Sequence, residues 1–263
     1  MRPILFCLAL LITSPALACG PDTDCVIGDR TYRLYVPDGI AGPMGALVYA
    51  HGYRGSASGA MRNAGLRALA DDLGMALIAL KSADDDWDLA HRPNAPDQPE
   101  AREYDYVAAV IDDVALQIDL DRARLIATGF SAGGMMTWTM ACGMSGTFAG
   151  FVPMSGTFWA PVPGTCSTPP ASIVHIHGTD DGVVPMGGRA IGPTRQGDVP
   201  TALAMYRDFG QFTETGTVTA PGGMTCIQSD NADGRVLDLC TFPGGHDFST
   251  VRMRHAIARI FDR

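Results

Sequence analysis

The stretch Thr128-Gly129-Phe130-Ser131-Ala132-Gly133-Gly134 constrains this chain more than any other. It follows an apolar, β-type run, Arg124-Leu125-Ile126-Ala127, and opens a helical run that continues through Cys142. A Gly-x-Ser-x-Gly turn between strand and helix is so tight that only glycine fits on either side. The serine is left projecting on a strained backbone at the top of a sheet. Serine is also favoured as an ordinary helix N-cap, but that role does not call for Gly129, Gly133 and Gly134 around it. Ser131 is therefore the candidate nucleophile. A free hydroxyl is a poor nucleophile, so a histidine must take its proton and a carboxylate must orient that histidine.

The flanking sequence alternates strands with helices. Thr31 to Val36 has a period of two and stops at Pro37, which predicts an antiparallel edge strand. Ala46 to Ala50 and Met75 to Leu80 are continuous apolar runs, as expected of strands buried on both faces. Leu66, Leu69, Ala70 and Leu73 mark one helix face that ends at Gly74. An irregular stretch rich in Asp and Pro runs from Lys81 to Pro99, and a loop of that length is usually functional or mobile. Tyr104, Val107, Ala108, Ile111, Val114, Ala115 and Ile118 repeat at helical spacing. Further strands are expected at Ala149–Met154, Ser172–His177 and Val236–Cys240. Helices are expected near Thr201–Phe209 and at the C-terminus, where Met253, Ala256, Ile257, Ile260 and Phe261 face inward.

This pattern predicts an α/β fold with a mostly parallel central sheet and helices on both faces. Only Ser155 to Ala171 joins the strand after the serine turn to the next one, which leaves no room for a cap domain. The site is expected to be open enough for a bulky or polymeric substrate.

Composition narrows the compartment and the partners. The net charge of −9, with Lys81 the single lysine, argues against a nucleic-acid partner. Arg2, the apolar run Ile4–Ile12 and Ala16-Leu17-Ala18 read as a signal peptide over residues 1–18, too short to span a membrane. Residues 19–263 then form a single catalytic domain that is secreted or periplasmic. Lipid attachment at Cys19, directly after the cut, is the rival reading. Without Cys7, six cysteines remain, and an even count in an exported chain points to disulfides. Of the 15 possible pairings, proximity along the chain favours Cys19–Cys25, Cys142–Cys166 and Cys226–Cys240. The last would staple a hairpin turning at Asn231-Ala232-Asp233-Gly234. No Cys-x-x-Cys spacing supports a zinc site.

The remaining catalytic groups must follow Ser131 as acid and then histidine, which is the chain order of an α/β-hydrolase. His177-Gly178-Thr179-Asp180-Asp181 supplies two adjacent candidate acids, and spacing alone does not choose between them. Gly244-Gly245-His246 supplies the histidine on a loop after the last strand. His175 and His177 lie one strand period apart and lack a third metal ligand, so they read as strand residues with satisfied nitrogens. The developing oxyanion needs donors, and the backbone N–H groups of Ala132 and Tyr53 are the candidates. Trp87 and Trp159 read as loop aromatics able to grip an apolar acyl or aryl group.

From about Cys25 onward the chain resembles the secreted esterases grouped with polyhydroxybutyrate depolymerases and feruloyl or acetyl-xylan esterases. Its marks are Arg30 to Pro37, His51-Gly52-Tyr53, Asp105-Tyr106-Val107, Ile111-Asp112-Asp113, Gly129 to Gly134, His175 to Thr179 with Asp181, and Gly244-Gly245-His246. The family pattern His-Gly-Thr-x-Asp implies that Asp181 is the acid and Asp180 the variable position. The resemblance also supports Cys142–Cys166 and implies no metal or cofactor. Phe248 stands where relatives often carry tryptophan, and the loop from Asp84 to Pro99 is longer and more acidic than the resemblance implies. Both lie where substrate would rest, which makes Phe248 a third candidate substrate-binding residue.

The implied activity is ester hydrolysis through an acyl-enzyme, with a polyhydroxybutyrate-type polyester or oligomer as the first expectation. A feruloyl, acetyl-xylan or general short-chain ester is the alternative. From another class, the chain could be a ligand-binding protein that kept an α/β-hydrolase fold and lost the chemistry.

Overall fold

A computed structural model describes residues 19–95 and 99–262. The expected signal segment, residues 1–18, lies outside the described residues. In chain order the first half holds β1 (Cys25–Ile27), β2 (Arg30–Tyr35), β3 (Met44–Ala50), α1 (Ala57–Arg62), α2 (Ala64–Leu73), β4 (Ala76–Leu80) and α3 (Pro99–Gln117). Then come β5 (Leu120–Phe130), α4 (Ala132–Gly143), β6 (Gly150–Met154), β7 (Ile173–Gly178) and the two-residue strands β8 (Ala190–Ile191) and β9 (Thr194–Arg195). The chain ends with α5 (Val199–Gly210), β10 (Thr213–Ala220), β11 (Met224–Asp230), β12 (Leu237–Phe242) and α6 (Thr250–Phe261).

Ten strands form one sheet in the order β1-β2-β4-β3-β5-β6-β7-β12-β11-β10. The block from β4 to β12 is parallel, with antiparallel pairs at either end. Every residue of β3, β4, β6 and β7 is buried, because helices cover both faces. Along β3, Ala46, Val48 and Ala50 face the core shared with α3, α4 and α5, while Leu47 and Tyr49 face the core shared with α1, α2 and α6. That period of two is what places two cores on one sheet. On α6, Met253, Ile257 and Ile260 are buried as expected, each worth about 2 kcal/mol of apolar burial.

Three expectations change. The strand at Thr31–Val36 is not an edge: Cys25–Ile27 pairs with it antiparallel and takes the edge position. A three-residue strand is too short to show a period, and the Cys19–Cys25 disulfide anchors it. On α3 the inner face is turned from the expected one, with Glu103 and Val110 buried and Ala108 exposed. The sheet is also extended by β10, whose sequence Thr-Glu-Thr-Gly-Thr-Val-Thr-Ala is almost wholly exposed and carries no apolar alternation.

The three cysteine pairs form as proximity suggested. Cys226 and Cys240 sit directly opposite each other on β11 and β12. Replacing both by serine should lower unfolding stability by about 3 kcal/mol on the chain-entropy model. The check is a urea midpoint shift, with kcat at 25 °C unchanged because the pair lies away from the serine turn.

Candidate active site

The backbone at Ser131 has φ 61° and ψ −121°, a conformation that L-residues adopt only under constraint. Its side chain makes no capping hydrogen bond, so the serine is not serving as an N-cap. The constraint is contact. A Cβ at Gly133 would overlap the carbonyl of Ala50 at the end of β3, and one at Gly129 would overlap Gly133 itself. Ser131 N–H donates to Met154 O at 2.9 Å, and Ser131 O accepts from Met135 N–H at 3.1 Å. Between them, β3, β5, β6 and α4 hold the turn.

The acid and the histidine meet after β7 and β12. His246 Nδ1 donates to Asp181 Oδ2 at 2.7 Å, and Asp181 Oδ1 accepts the N–H groups of Val183 and Val184, both at 2.8 Å. The Asp181 side chain is fully buried, whereas that of His246 is 15% exposed. Burial alone would raise the Asp181 carboxyl, but hydrogen bonds from His246, Val184 and Val183 outweigh it and hold the group below its ordinary range. Asp180 is exposed, and among the described residues its carboxylate accepts only from Thr179 Oγ1. Of the two adjacent aspartates, only Asp181 reaches the histidine. Gly178 makes this crossing possible, since a Cβ there would overlap the carbonyls of Gly244 and Gly245.

His246 reaches the serine turn through its neighbour. Its ring packs on Phe130 with centroids 4.5 Å apart, and Phe130 precedes Ser131. Among the described residues, Ser131 Oγ and His246 Nε2 form no hydrogen bond, a looseness common in sites without substrate. Phe248 packs on Phe130 and Tyr49, with centroids 5.7 Å and 6.0 Å away. It buttresses the histidine loop and does not line the cavity beside Ser131.

That cavity, about 490 Å³, is walled by Tyr53, Ala132, Met135, Trp159, Val184 and Ile191 among others. The N–H of Ala132 starts α4 and that of Tyr53 follows the β3 turn, which packs against Ser131 at Gly52. Asp86, Arg92 and Arg189 add charge to the wall. The hairpin of β8 and β9 and the bridge between Trp159 and Gln196 close one side. Nothing in the sequence pattern announces so short a hairpin. Met135, by contrast, is one helical turn after Ser131 and was reachable by spacing.

Trp159 lies in the cavity wall at 7% exposure. Trp87 does not. It is wholly buried, its Nε1–H donates to His51 O at 2.8 Å, and its ring lies 4.9 Å from the His51 ring. Trp87 therefore supports the turn carrying Tyr53 and cannot touch substrate. His51 completes this support: Nδ1 meets Gly52 O at 2.7 Å and Nε2 accepts from Ser82 N–H at 3.2 Å. Burial pushes its imidazole down to about 4, so it stays neutral at working pH.

His175 and His177 are strand residues whose ring nitrogens all have partners. No group of three His, Cys, Asp or Glu side chains among the described residues could hold a metal.

The Phospholipase/Carboxylesterase family matches residues 90–191. NocK of Nocardia uniformis subsp. tsuyamanensis, named as an esterase, is 31% identical over 266 residues, covering 89% of this chain and 75% of that protein. Feruloyl esterase C of Emericella nidulans is 27% identical over 154 residues, 58% of this chain and 53% of that protein. The chain thus spans about half the length of that feruloyl esterase. Among solved structures, an acetyl xylan esterase from Aspergillus awamori shares the fold with a TM-score of 0.62 at 14% identity, over 92% of this chain and 96% of that one. The chain belongs to the α/β-hydrolase esterases.

Gly178→Ala should displace the loop bearing His246 and lower kcat/KM on p-nitrophenyl acetate about a hundredfold, the scale of an ångström-sized misplacement. A thermal unfolding curve run alongside separates this from a general loss of folding.

Proposed function

We propose that this esterase works by a serine acyl-enzyme route with Ser131 as nucleophile, His246 as base and Asp181 as its orienting acid. The observation that carries the reading is the Asp181–His246 hydrogen bond of 2.7 Å, made by a buried carboxylate beside a serine on a strained turn. With Nδ1 donating to Asp181, the lone pair of His246 is on Nε2, the nitrogen free to take the Ser131 proton. Ser131 Oγ attacks the ester carbonyl, and the N–H groups of Ala132 and Tyr53 receive the oxyanion. His246 then protonates the leaving alcohol and, in the second half, activates water to release the acid.

For substrate, the cavity favours an ester with a compact acyl or aryl group. Met135, Trp159, Val184 and Ile191 give it apolar walls, and the hairpin of β8 and β9 limits its length on one side. A feruloyl or acetyl ester on a hydroxylated carrier fits this better than a polyester running through the site, and two similar proteins bear the names of such esterases. The polyhydroxybutyrate reading rests on motif resemblance alone. Three disulfides support export to an oxidising compartment behind the signal segment.

Ser131→Ala should lower kcat on short p-nitrophenyl esters about a millionfold and abolish fluorophosphonate labelling. Retention of a tenth of the activity would remove Ser131 from its role. Asp181→Asn should cost about ten-thousandfold in kcat while Asp180→Asn stays within about twofold, and a reversed result would move the acid by one residue. Parallel assays on methyl ferulate, acetylated xylan and polyhydroxybutyrate decide the acyl class.

A further inference from the structure

Behind Asp181 lies a buried polar chain that the esterase chemistry does not use. Trp138 on α4 and His175 and His177 on β7 are all fully buried. Trp138 Nε1 lies 3.1 Å from His175 Nδ1, His175 Nε2 lies 3.0 Å from His177 Nδ1, and His177 Nε2 lies 2.7 Å from Val184 O. His177 Nε2 is also 3.6 Å from Asp181 Oδ2, the oxygen that accepts from His246.

The direction of this chain is fixed by its first member. An indole N–H only donates, so His175 must offer the Nδ1 lone pair and carry its proton on Nε2. That proton goes to His177 Nδ1, which must also be a lone pair, and the His177 proton then sits on Nε2 and points at Val184 O. A second proton on His177 would have to go on Nδ1, facing the N–H of His175. Switching His175 to its other tautomer to make room would aim Nδ1–H at the Trp138 N–H. Either way two donors oppose each other in a dry core, which costs far more than the lost bond alone. Burial, and then the neighbouring histidine for His175, pushes both imidazoles down, in the same direction.

We propose that Trp138, His175 and His177 form a one-way hydrogen-bond relay that positions Asp181 and keeps a proton off the ring nearest to it. The proposal rests on the reading of Asp181 as the acid that orients His246. Val184 connects the two: its carbonyl takes the end of the relay, and its N–H donates to Asp181 Oδ1 at 2.8 Å. The titratable groups facing His177 are Asp181 on the turn after β7, His246 on the loop after β12, and His175 on its own strand. α4 carries no charged or histidine side chain and presents Trp138 to His175. A neutral His177 leaves the charge of Asp181 for His246, whereas a cationic one would compete for the same oxygen. These three side chains are positioning residues, since none lines the cavity beside Ser131.

The test begins with the histidine side-chain 15N–1H spectrum of the full mature chain between pH 5 and pH 8. His175 and His177 should both remain Nε2–H tautomers without titrating. Titration of His177 in that range, or a proton on Nδ1 of either ring, would overturn the proposal without reference to activity. Trp138→Phe keeps an aromatic ring and removes the donor that sets the direction. It should let His177 titrate, and the second protonation should steepen the fall of kcat/KM on the acid side, with the loss largest below pH 7. His177→Leu should lower kcat about tenfold to a hundredfold with KM little changed, and His177→Gln, which keeps a donor for Val184 O, should recover part of it. A folded Trp138→Phe with the parent pH profile and a silent His177 would overturn the relay. If that variant does not fold, the tautomers of the parent protein decide. Ser131→Ala and Asp181→Asn run alongside separate the two readings: activity retained in both would end the catalytic assignment, while the tautomers still report on the relay.

Discussion

The close approach of α4 to the end of β3 is the constraint on which this structure depends. With no Cβ at Gly133, the carbonyl of Ala50 comes near enough to trap the chain between Phe130 and Ala132 in a conformation that serine would not choose. A strained residue persists only where its surroundings over-determine it. Here four elements do so, through the Ala50 contact, the Met154 carbonyl, the Met135 amide and the β5 ladder. The same approach puts the β3 turn, at Gly52, against Ser131. One packing event therefore strains the serine and seats that turn beside it. The energy for this comes from two cores that clamp the sheet, not from the turn.

Much of this was legible because the relevant residues obey local rules. Gly129, Ser131 and Gly133 at fixed spacing can do little else between a strand and a helix, and the buried strands announced themselves as unbroken apolar runs. The elements that sequence missed lack such signals. β1 has only three residues, and β10 faces water on both sides, so neither has an apolar period to read. The misplacement of β2 at the edge follows from the same blindness: its alternation is real, but what pairs with it was invisible. On α3 the phase was off because Glu103, a charged residue, is on the inner face, where periodicity arguments expect apolar side chains.

In the site, the chemistry was easier to read than its support. Sequence told Asp181 from Asp180 only through a resemblance, whereas in three dimensions two amides and an imidazole converge on the Asp181 carboxylate alone of the two. Trp87 misled because a tryptophan in an acidic loop looks exposed. It is instead anchored to the carbonyl of His51 with the Arg30 guanidinium 5.9 Å from its ring, and no local pattern connects these residues. The histidines of β7 are satisfied strand residues, as their spacing implies, but their order of donation is set by Trp138, which is remote in sequence.

The loop from Lys81 to Ala95 shows how a polar segment can be made rigid beneath a site. Arg30 and Glu103 form a buried ion pair at 2.8 Å, and Arg30 also donates to Lys81 O at 2.7 Å. The Arg30 guanidinium lies 3.6 Å from the Tyr106 ring centroid, while Tyr106 Oη donates to Thr31 O and accepts from Lys81 N–H. Glu103 Oε1 receives Asp88 N–H, and Asp88 pairs with Arg92. A buried pair of this kind adds little net stability, but losing one partner strands a charge at a cost of about 3–5 kcal/mol. Its value is therefore in geometry. The ion pair fixes the loop at Lys81 and at Asp88, the loop presents Trp87 to the carbonyl of His51, and His51 holds the turn that carries Tyr53. The stretch from Lys81 to Ala95 thus supports the turn that carries Tyr53 through Asp88 and Trp87 on its buried side, while Asp84 and Asp85 stay exposed on its outer side.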